Sequence, residues 1–304
     1  MSFGARGKYL AYNDPRVSGK SAVYGLIGDP VDHTMSPTIQ NAAFRSAGLN
    51  AVYVPFRVEG PGLRLAVQGL RALGVRGFNI TAPHKISILR FIDEVETKAA
   101  QIGSINTVTN DQGLLTGFDT DGPGALNALR EAGVSPNGKA VLLFGAGGAG
   151  RAIAYALAEH DCAITLVNRT ISRAKRLAKS LHRSFGISSH YHPLAGRDLH
   201  DFVNRADVIV NASSMGMGGA NNIPIGRRCL RADHCVFDIV YKPVQTKLLR
   251  NAAHAGAKTI NGLDMLVNQG ACSFELWTGR KAPILEMRHA IDQKLSGIEH
   301  ASLS

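Results

Sequence analysis

The chain is poor in the features that would mark a secreted, membrane-bound or disordered protein. Its 304 residues hold only four cysteines, Cys162, Cys229, Cys235 and Cys272. They are too few and too scattered for a disulfide framework. Their spacing also lacks the C-x2-C pair of a zinc site, although His234 adjoins Cys235, so no metal is expected. No apolar run approaches the roughly 18 residues of a membrane helix. The segment before Ser21 carries charge but no apolar stretch of the kind a signal peptide needs, which makes a reducing cytoplasm the expected compartment. Negative charge is in short supply as well: 23 acidic residues face 34 basic ones, a net charge of +11. With 45% hydrophobic and 19% charged residues the composition is that of a globular protein, not of collagen, a coiled coil or a disordered chain.

Such a length suits two domains of roughly 100–200 residues each. Short β-branched runs alternate with helical patterns throughout. Strands are predicted at Ala22–Gly28, Ala51–Phe56 and Arg76–Ile80, with helices from Ser36 to about Ala47 and over Leu63–Leu73. Ser36-Pro37 reads as an N-cap followed by proline at the first helical position. Two short helices, strands around Ile105 and Leu115, and a helix from about Gly122 to Ala132 follow. After the turn cluster Ser135-Pro136-Asn137-Gly138 the rhythm restarts. Strands are predicted at Ala140–Phe144, Ala163–Val167, Asp207–Asn211 and Val236–Ile239. This alternation predicts an α/β fold with parallel sheets and right-handed crossovers. With no strand after Ile260, the helices beginning near Leu263 and after Pro283 are expected to pack back on the first domain, making it discontinuous. No repeat or low-complexity tract is present.

Gly145-Ala146-Gly147-Gly148-Ala149-Gly150 follows an apolar strand and opens a helix, the context in which a glycine loop binds a dinucleotide. Gly145 allows a tight turn, Gly147 lets backbone approach a pyrophosphate, and Gly150 permits close helix–strand packing. The helix N-terminus adds oriented N–H groups and partial positive charge. Where an NAD site offers a carboxylate to the ribose, the next strand ends in Asn168-Arg169-Thr170, with Arg173 one turn on. Guanidinium groups pair with a 2′-phosphate that a carboxylate would repel, so NADP is expected over NAD. The basic stretch Arg169–Arg183 otherwise reads as a solvated helix face. No RNA-binding aromatic motif accompanies it, and neither nucleic acid nor membrane is an expected partner.

Four polar islands stand at element ends in the first half, where α/β proteins place ligands. They are Asp32-His33-Thr34-Met35-Ser36-Pro37, Asn79-Ile80-Thr81-Ala82-Pro83-His84-Lys85, Gly103-Ser104-Ile105-Asn106-Thr107 and Gly117-Phe118-Asp119-Thr120-Asp121-Gly122. With GAGGAG, NRT, NASSMGM, FDIVYKP and NGLDMLVNQGACSFELWTG they form an ordered set from about Gly25 to Gly279. In that set the chain resembles the shikimate dehydrogenase family, including its quinate/shikimate branch. The residues before Ser21 lie outside the match.

The resemblance implies a two-domain α/β architecture. Residues 21–124 and 263–304 would form the substrate domain, 125–262 an NADP-binding Rossmann domain, and 1–20 an N-terminal extension. It implies reversible reduction of 3-dehydroshikimate to shikimate by NADPH, with Lys85 and Asp121 as the catalytic pair. The chemistry agrees: reducing a ring ketone puts negative charge on its oxygen, and an ammonium oriented by a carboxylate can deliver the proton there. Thr34 and Ser36 match the two family serines that hold the substrate carboxylate. Asn79, Thr81, Asn106 and Gln269 match positions that bond the ring hydroxyls, and Tyr241 a tyrosine near substrate and nicotinamide. Gly145, Ala146, Gly147, Gly148, Ala149, Asn168, Arg169, Thr170, Arg173, Met215 and Gly262 are the implied cofactor contacts, with Met217 beside Met215 on the nicotinamide side.

Two departures from the family pattern stand out. Threonine at position 34 keeps a hydroxyl but narrows the pocket, which leaves shikimate and quinate both open as substrates. Asp119 stands where the family has asparagine, and two carboxylates two residues apart raise one pKa if their side chains share a face. His33 and His84 flank the key residues, and histidines in such places are more often structural hydrogen-bonders. Besides a quinate/shikimate dehydrogenase using NAD(P), a metabolite-binding regulator without turnover is the remaining alternative. Monomer and homodimer are both compatible with the sequence.

Overall fold

The structure is a computed structural model and describes residues 17–194, 199–219 and 222–302. Most of the N-terminal extension 1–20, namely residues 1–16, therefore lies outside the described residues, as do the last two residues of the segment 263–304. The first half of the chain lays down β1 (Ala22–Gly28), α1 (Ser36–Ser46), β2 (Ala51–Arg57), α2 (Leu63–Ala72), β3 (Gly77–Ile80), β4 (Glu94–Val95), α3 (Thr97–Ile102), β5 (Thr107–Asp111), β6 (Leu114–Phe118) and α4 (Asp121–Glu131). Its six strands form one sheet in the order β2-β1-β3-β5-β6-β4.

The second half continues with β7 (Ala140–Phe144), α5 (Gly148–Ala158), β8 (Ala163–Asn168), α6 (Ile171–Phe185), β9 (His190–Pro193), α7 (Leu199–Arg205), β10 (Val208–Asn211), β11 (Cys235–Asp238), α8 (Lys247–His254) and β12 (Lys258–Ile260). These strands form a second sheet ordered β12-β11-β10-β7-β8-β9. Helices α9 (Gly262–Thr278) and α10 (Ile284–Ser302) close the fold.

The expectation of parallel pairing holds throughout the second sheet. It fails in the first, where β5 runs antiparallel to both β3 and β6. The cause is local. Gln112 and Gly113 link β5 to β6 with φ of 50° and 97°, and a two-residue turn with positive φ at both positions joins only antiparallel strands. The sequence reading also passes over β4, β9 and β12. All three are edge strands with few buried residues, so they lack the apolar run that marks an interior strand.

Alternation along the strands divides the core. Tyr24 and Leu26 of β1 face one layer of helices while Ile27 and Val23 face the other. In the second sheet Val141 and Leu143 of β7 likewise point opposite to Leu142 and Phe144. The C-terminal helices do return to the first sheet: Val267, Ala271 and Phe274 of α9 and Met287 and Ile291 of α10 pack with Tyr24, Ile39 and Phe44. The single tryptophan, Trp277, packs at a tilt against Tyr24 and Tyr53 and donates its Nε1–H to the Val108 carbonyl at 2.9 Å. Helix α4 runs between the two halves. Its Gly124 lies against the Gln269 backbone, where a Cβ would come within 2.8 Å of the Gln269 nitrogen, whereas Ala125, Ala128 and Leu129 join the core of the second sheet. The expected boundary at 124/125 thus falls inside one unbroken helix.

Candidate active site

One edge of each sheet carries the polar islands. In the first sheet the carboxyl ends of β1, β3 and β6 lead into Thr34–Ser36, Thr81–Lys85 and Asp119–Asp121. Antiparallel β5 brings its amino end, and with it Asn106, to the same edge. In the second sheet the carboxyl ends of β7, β8, β10 and β11 lead into the glycine loop, Asn168–Thr170, Ser213–Met215 and Tyr241.

Lys85 and Asp121 meet. The Lys85 Nζ donates to Asp121 Oδ2, with the two side chains 17% and 4% exposed. Asn106 Nδ2 donates to the other oxygen, Oδ1, at 3.0 Å, and also lies 2.8 Å from Thr120 Oγ1 and 3.2 Å from Gln269 Oε1. Asn106 Oδ1 accepts from the Thr120 N–H at 2.8 Å. Asp121 is the first residue of α4 and its carboxylate is turned to these partners, so it does not cap its own helix. The capping position is Thr120, and Asp119 just before it serves the first turn, accepting the Gly122 N–H at 3.0 Å.

Beneath this pair lies a closed set of side chains. Asn79 is buried, accepts from the Tyr53 hydroxyl at 2.8 Å, and donates toward Asn106 O, Thr107 Oγ1 and Ser273 Oγ at 3.1, 3.0 and 2.9 Å. Its amide is thus engaged within the protein, as is that of Asn106. Thr81 follows β3 with its side chain half-buried against Gly28.

The expectation that Ser36 caps α1 is corrected: the capping position is Met35, and Ser36 is already helical. Its hydroxyl accepts from Thr34 Oγ1 at 3.2 Å and faces the Tyr53 hydroxyl. Tyr241 reaches the Thr34 side chain from the second sheet. Burial pushes the Tyr53 and Tyr241 phenols upward, so both stay protonated donors at neutral pH.

The glycine loop keeps the expected geometry. Gly145 has φ of 108° and Gly150 lies on the Gly145 carbonyl. Asn168 Oδ1 accepts the Ala146 N–H at 3.2 Å, tying the end of β8 to the loop. Gly147 caps α5 with no side-chain bond and open space beside its Cα, so the first N–H groups of the helix are left for a ligand. Arg169 and Arg173 are exposed, and neither makes an ion pair among the described residues. Ala149 lies in the first turn of α5, and Gly262 opens α9 against the Ile239 carbonyl. Gly148 has a different neighbour. A Cβ there would stand 2.6 Å from Lys85 Cβ and 2.8 Å from Ser104 Oγ, so the dinucleotide loop touches the lysine loop directly.

Met215 is half-buried, its carbonyl fixed by Asn211 Nδ2 at 2.9 Å, whereas Met217 is 55% exposed. His84 is buried with Nε2 2.6 Å from the Val58 carbonyl, a structural bond. His33 Nδ1 lies 3.1 Å from Lys242 Nζ, across the gap between the two sheets' loops. Asp119 is driven up to about 7, first by burial and then by the charge of Asp121.

Sequence reading missed Tyr53, Thr120 and Ser273, which complete the network around Asn79 and Asn106. Ser273 had a signal, since it lies one helical turn after Gln269 on the same face of α9. Tyr53 had none, because a strand tyrosine pairs with whatever the neighbouring strands bring.

The family model described as the shikimate dehydrogenase substrate binding domain matches residues 26–108. That of shikimate / quinate 5-dehydrogenase matches 128–221, and that of the shikimate 5′-dehydrogenase C-terminal domain 262–291. Shikimate dehydrogenase (NADP(+)) of Pyrococcus abyssi is 46% identical over 273 residues, 90% of this chain and 98% of that protein. A crystal structure of shikimate dehydrogenase in complex with NADP+ is 41% identical with a TM-score of 0.83, covering 91% of this chain and 97% of the other. Quinate dehydrogenase from Corynebacterium glutamicum, solved with NAD, is 32% identical with a TM-score of 0.82, over 90% of this chain and 99% of its own. The chain belongs to the shikimate dehydrogenase family.

Proposed function

We propose that this protein catalyses the NADP-dependent, reversible reduction of 3-dehydroshikimate to shikimate. The observation that carries the reading is the contact of Lys85 with Asp121 beside the loop that opens α5. When bound, NADPH supplies a hydride to the ring carbon. Everything else falls to the chain. Lys85 Nζ delivers a proton to the carbonyl oxygen as negative charge builds there, and Asp121, held on its other oxygen by Asn106, orients the ammonium. In the oxidative direction the unprotonated lysine accepts the alcohol proton.

Thr34 and Ser36 offer hydroxyls to the substrate carboxylate, with the Tyr241 phenol closing over them. Asn79, Thr81, Asn106 and Gln269 address the ring hydroxyls, and Asn79 also holds Asn106 and Tyr53 in place. The N–H groups at the start of α5 suit a pyrophosphate, and Arg169 and Arg173, which make no ion pair among the described residues, suit a 2′-phosphate. We divide the chain into a substrate domain, 21–124 with 263–304, and an NADP domain, 125–262, linked by α4. A cytoplasmic location fits this reading. Among the described residues no helix is long and apolar enough to cross a membrane.

Thr34 favours a second reading, oxidation of quinate as well as shikimate, because its methyl changes the space beside the carboxylated carbon. Assaying shikimate and quinate with NADP and with NAD, following reduced-cofactor absorbance, separates the two. Lys85→Ala is expected to lose about 10²–10⁴-fold in kcat while ligand binding persists. Wild-type turnover in that variant, or no reduced cofactor with shikimate, overturns the assignment.

A further inference from the structure

We propose that Asp119 is a positioning residue: its neutral carboxyl caps the turn that presents Asp121, and its ionisation places a second carboxylate beside the Lys85–Asp121 pair. The inference rests on the dehydrogenase reading above and concerns a residue in which this chain departs from the pattern it resembles.

The geometry comes first. Asp119 Oδ2 accepts the Gly122 N–H at 3.0 Å, and the side chain also faces the Asp121 N–H. Asp121 stands two residues on, engaged by Lys85 and Asn106. An asparagine performs the same capping with no charge at any pH. An aspartate performs it too, and adds a charge that depends on pH.

The surroundings decide where that charge appears. From its own turn Asp119 meets Asp121, and from the loop after β3 it meets Lys85. From α9 it faces Cys272, whose thiol is pushed up to about 11, chiefly by burial, then by Glu275 and Asp119. Ala152 and Ala156 of α5 lie against Gly122 in this turn, while Arg151 of the same helix bonds the Ile102 carbonyl at 2.6 Å. Burial and Asp121 together outweigh Lys85 and the two N–H groups, and the carboxyl is pushed up to about 7. Below that point Lys85 answers to one carboxylate; above it, to two. A second negative charge beside the pair changes the field in which the alcohol proton leaves, so the pH dependence of oxidation carries the ionisation of Asp119.

The test compares wild type, Asp119→Asn and Asp121→Asn. Asn keeps the cap, so folding is preserved while the charge is removed. In Asp119→Asn the pH–rate profile for shikimate oxidation should lose the inflection near 7 that the Asp119 carboxyl contributes. Carboxyl ¹³C NMR of the aspartate-labelled, ligand-free protein should show one aspartate with its midpoint between about 6 and 8. That signal should vanish in Asp119→Asn and move to lower pH in Asp121→Asn. A profile unmoved by Asp119→Asn, or an Asp119 midpoint near 4, overturns the proposal. Absence of turnover with shikimate in wild type would instead overturn the assigned reaction, since the NMR titration does not depend on it.

Discussion

Asn106 and Asp121 share a single hydrogen bond of 3.0 Å to Oδ1, which leaves Oδ2 free for Lys85. Each oxygen of the carboxylate thus has one partner, and the ammonium is fixed from one side only. The same amide also reaches Thr120 and Gln269, so one side chain sets the positions of α4, α9 and the lysine's partner together.

Replacing Asn106 by alanine should therefore harm the chemical step as well as substrate binding. A misplaced proton donor costs up to about 10²-fold. The expected outcome is a kcat lowered about tenfold to a hundredfold with a raised KM for shikimate and an unchanged Kd for NADP. Steady-state kinetics with fluorescence titration of the cofactor checks it.

Gly148 and Gly147 should separate two functions of one loop. Gly147 faces open space, so Gly147→Ala is expected to weaken NADP binding by intruding on the ligand. In Gly148→Ala the new methyl meets Lys85 and Ser104. The loss there should fall mainly on kcat, with cofactor affinity closer to wild type. The two ratios, measured side by side, would coincide if the loop served the cofactor alone.

Arg169 should govern the choice of dinucleotide. Losing its charge-assisted bonds and adding a carboxylate, as in Arg169→Asp, should lower kcat/KM for NADP on the order of a hundredfold and leave that for NAD nearly unchanged. Wild type that turns over faster with NAD than with NADP would contradict the assignment.

Asp119 should also leave a mark on stability. Its folded-state pKa, about 7, lies above the ordinary carboxylate value, so folding favours the neutral form. Stability from this group is complete below the unfolded pKa and declines as pH climbs toward 7. Asp119→Asn removes the loss. Its Tm should exceed that of wild type by at least about 2 °C at pH 8, the gap shrinking toward pH 5, as thermal unfolding would record.

Much of the fold was legible because interior strands such as Ala140–Phe144 are continuous apolar runs followed by turn residues. Edge strands were not: His190–Pro193 is exposed along most of its length and forms a strand only because β8 pairs with it. The reversed direction of β5 follows from Gln112-Gly113, a turn that the alternation of elements concealed.

In the site, motif residues reached the expected edge of the sheets, but their duties divided in ways that no spacing announces. Asn79 bonds Tyr53 and Ser273 as well as the Asn106 backbone, Ser36 left its capping role, and Asp119 accepts from the first turn of α4. Each depends on which neighbours the packed fold places within hydrogen-bond range.

Read alone, the amino-acid order determined that a glycine turn opens a helix after a buried strand, and that hydroxyl, amide and lysine groups sit at element ends. Those are short-range facts, set by neighbours within a turn or a strand. Only the tertiary structure decided that Lys85 meets Asp121 across 36 positions and that Asn106 meets Gln269 across 163. Such contacts exist because burying both sheets and returning α9 to the first of them brings distant loops to one edge, and no local preference encodes that arrival.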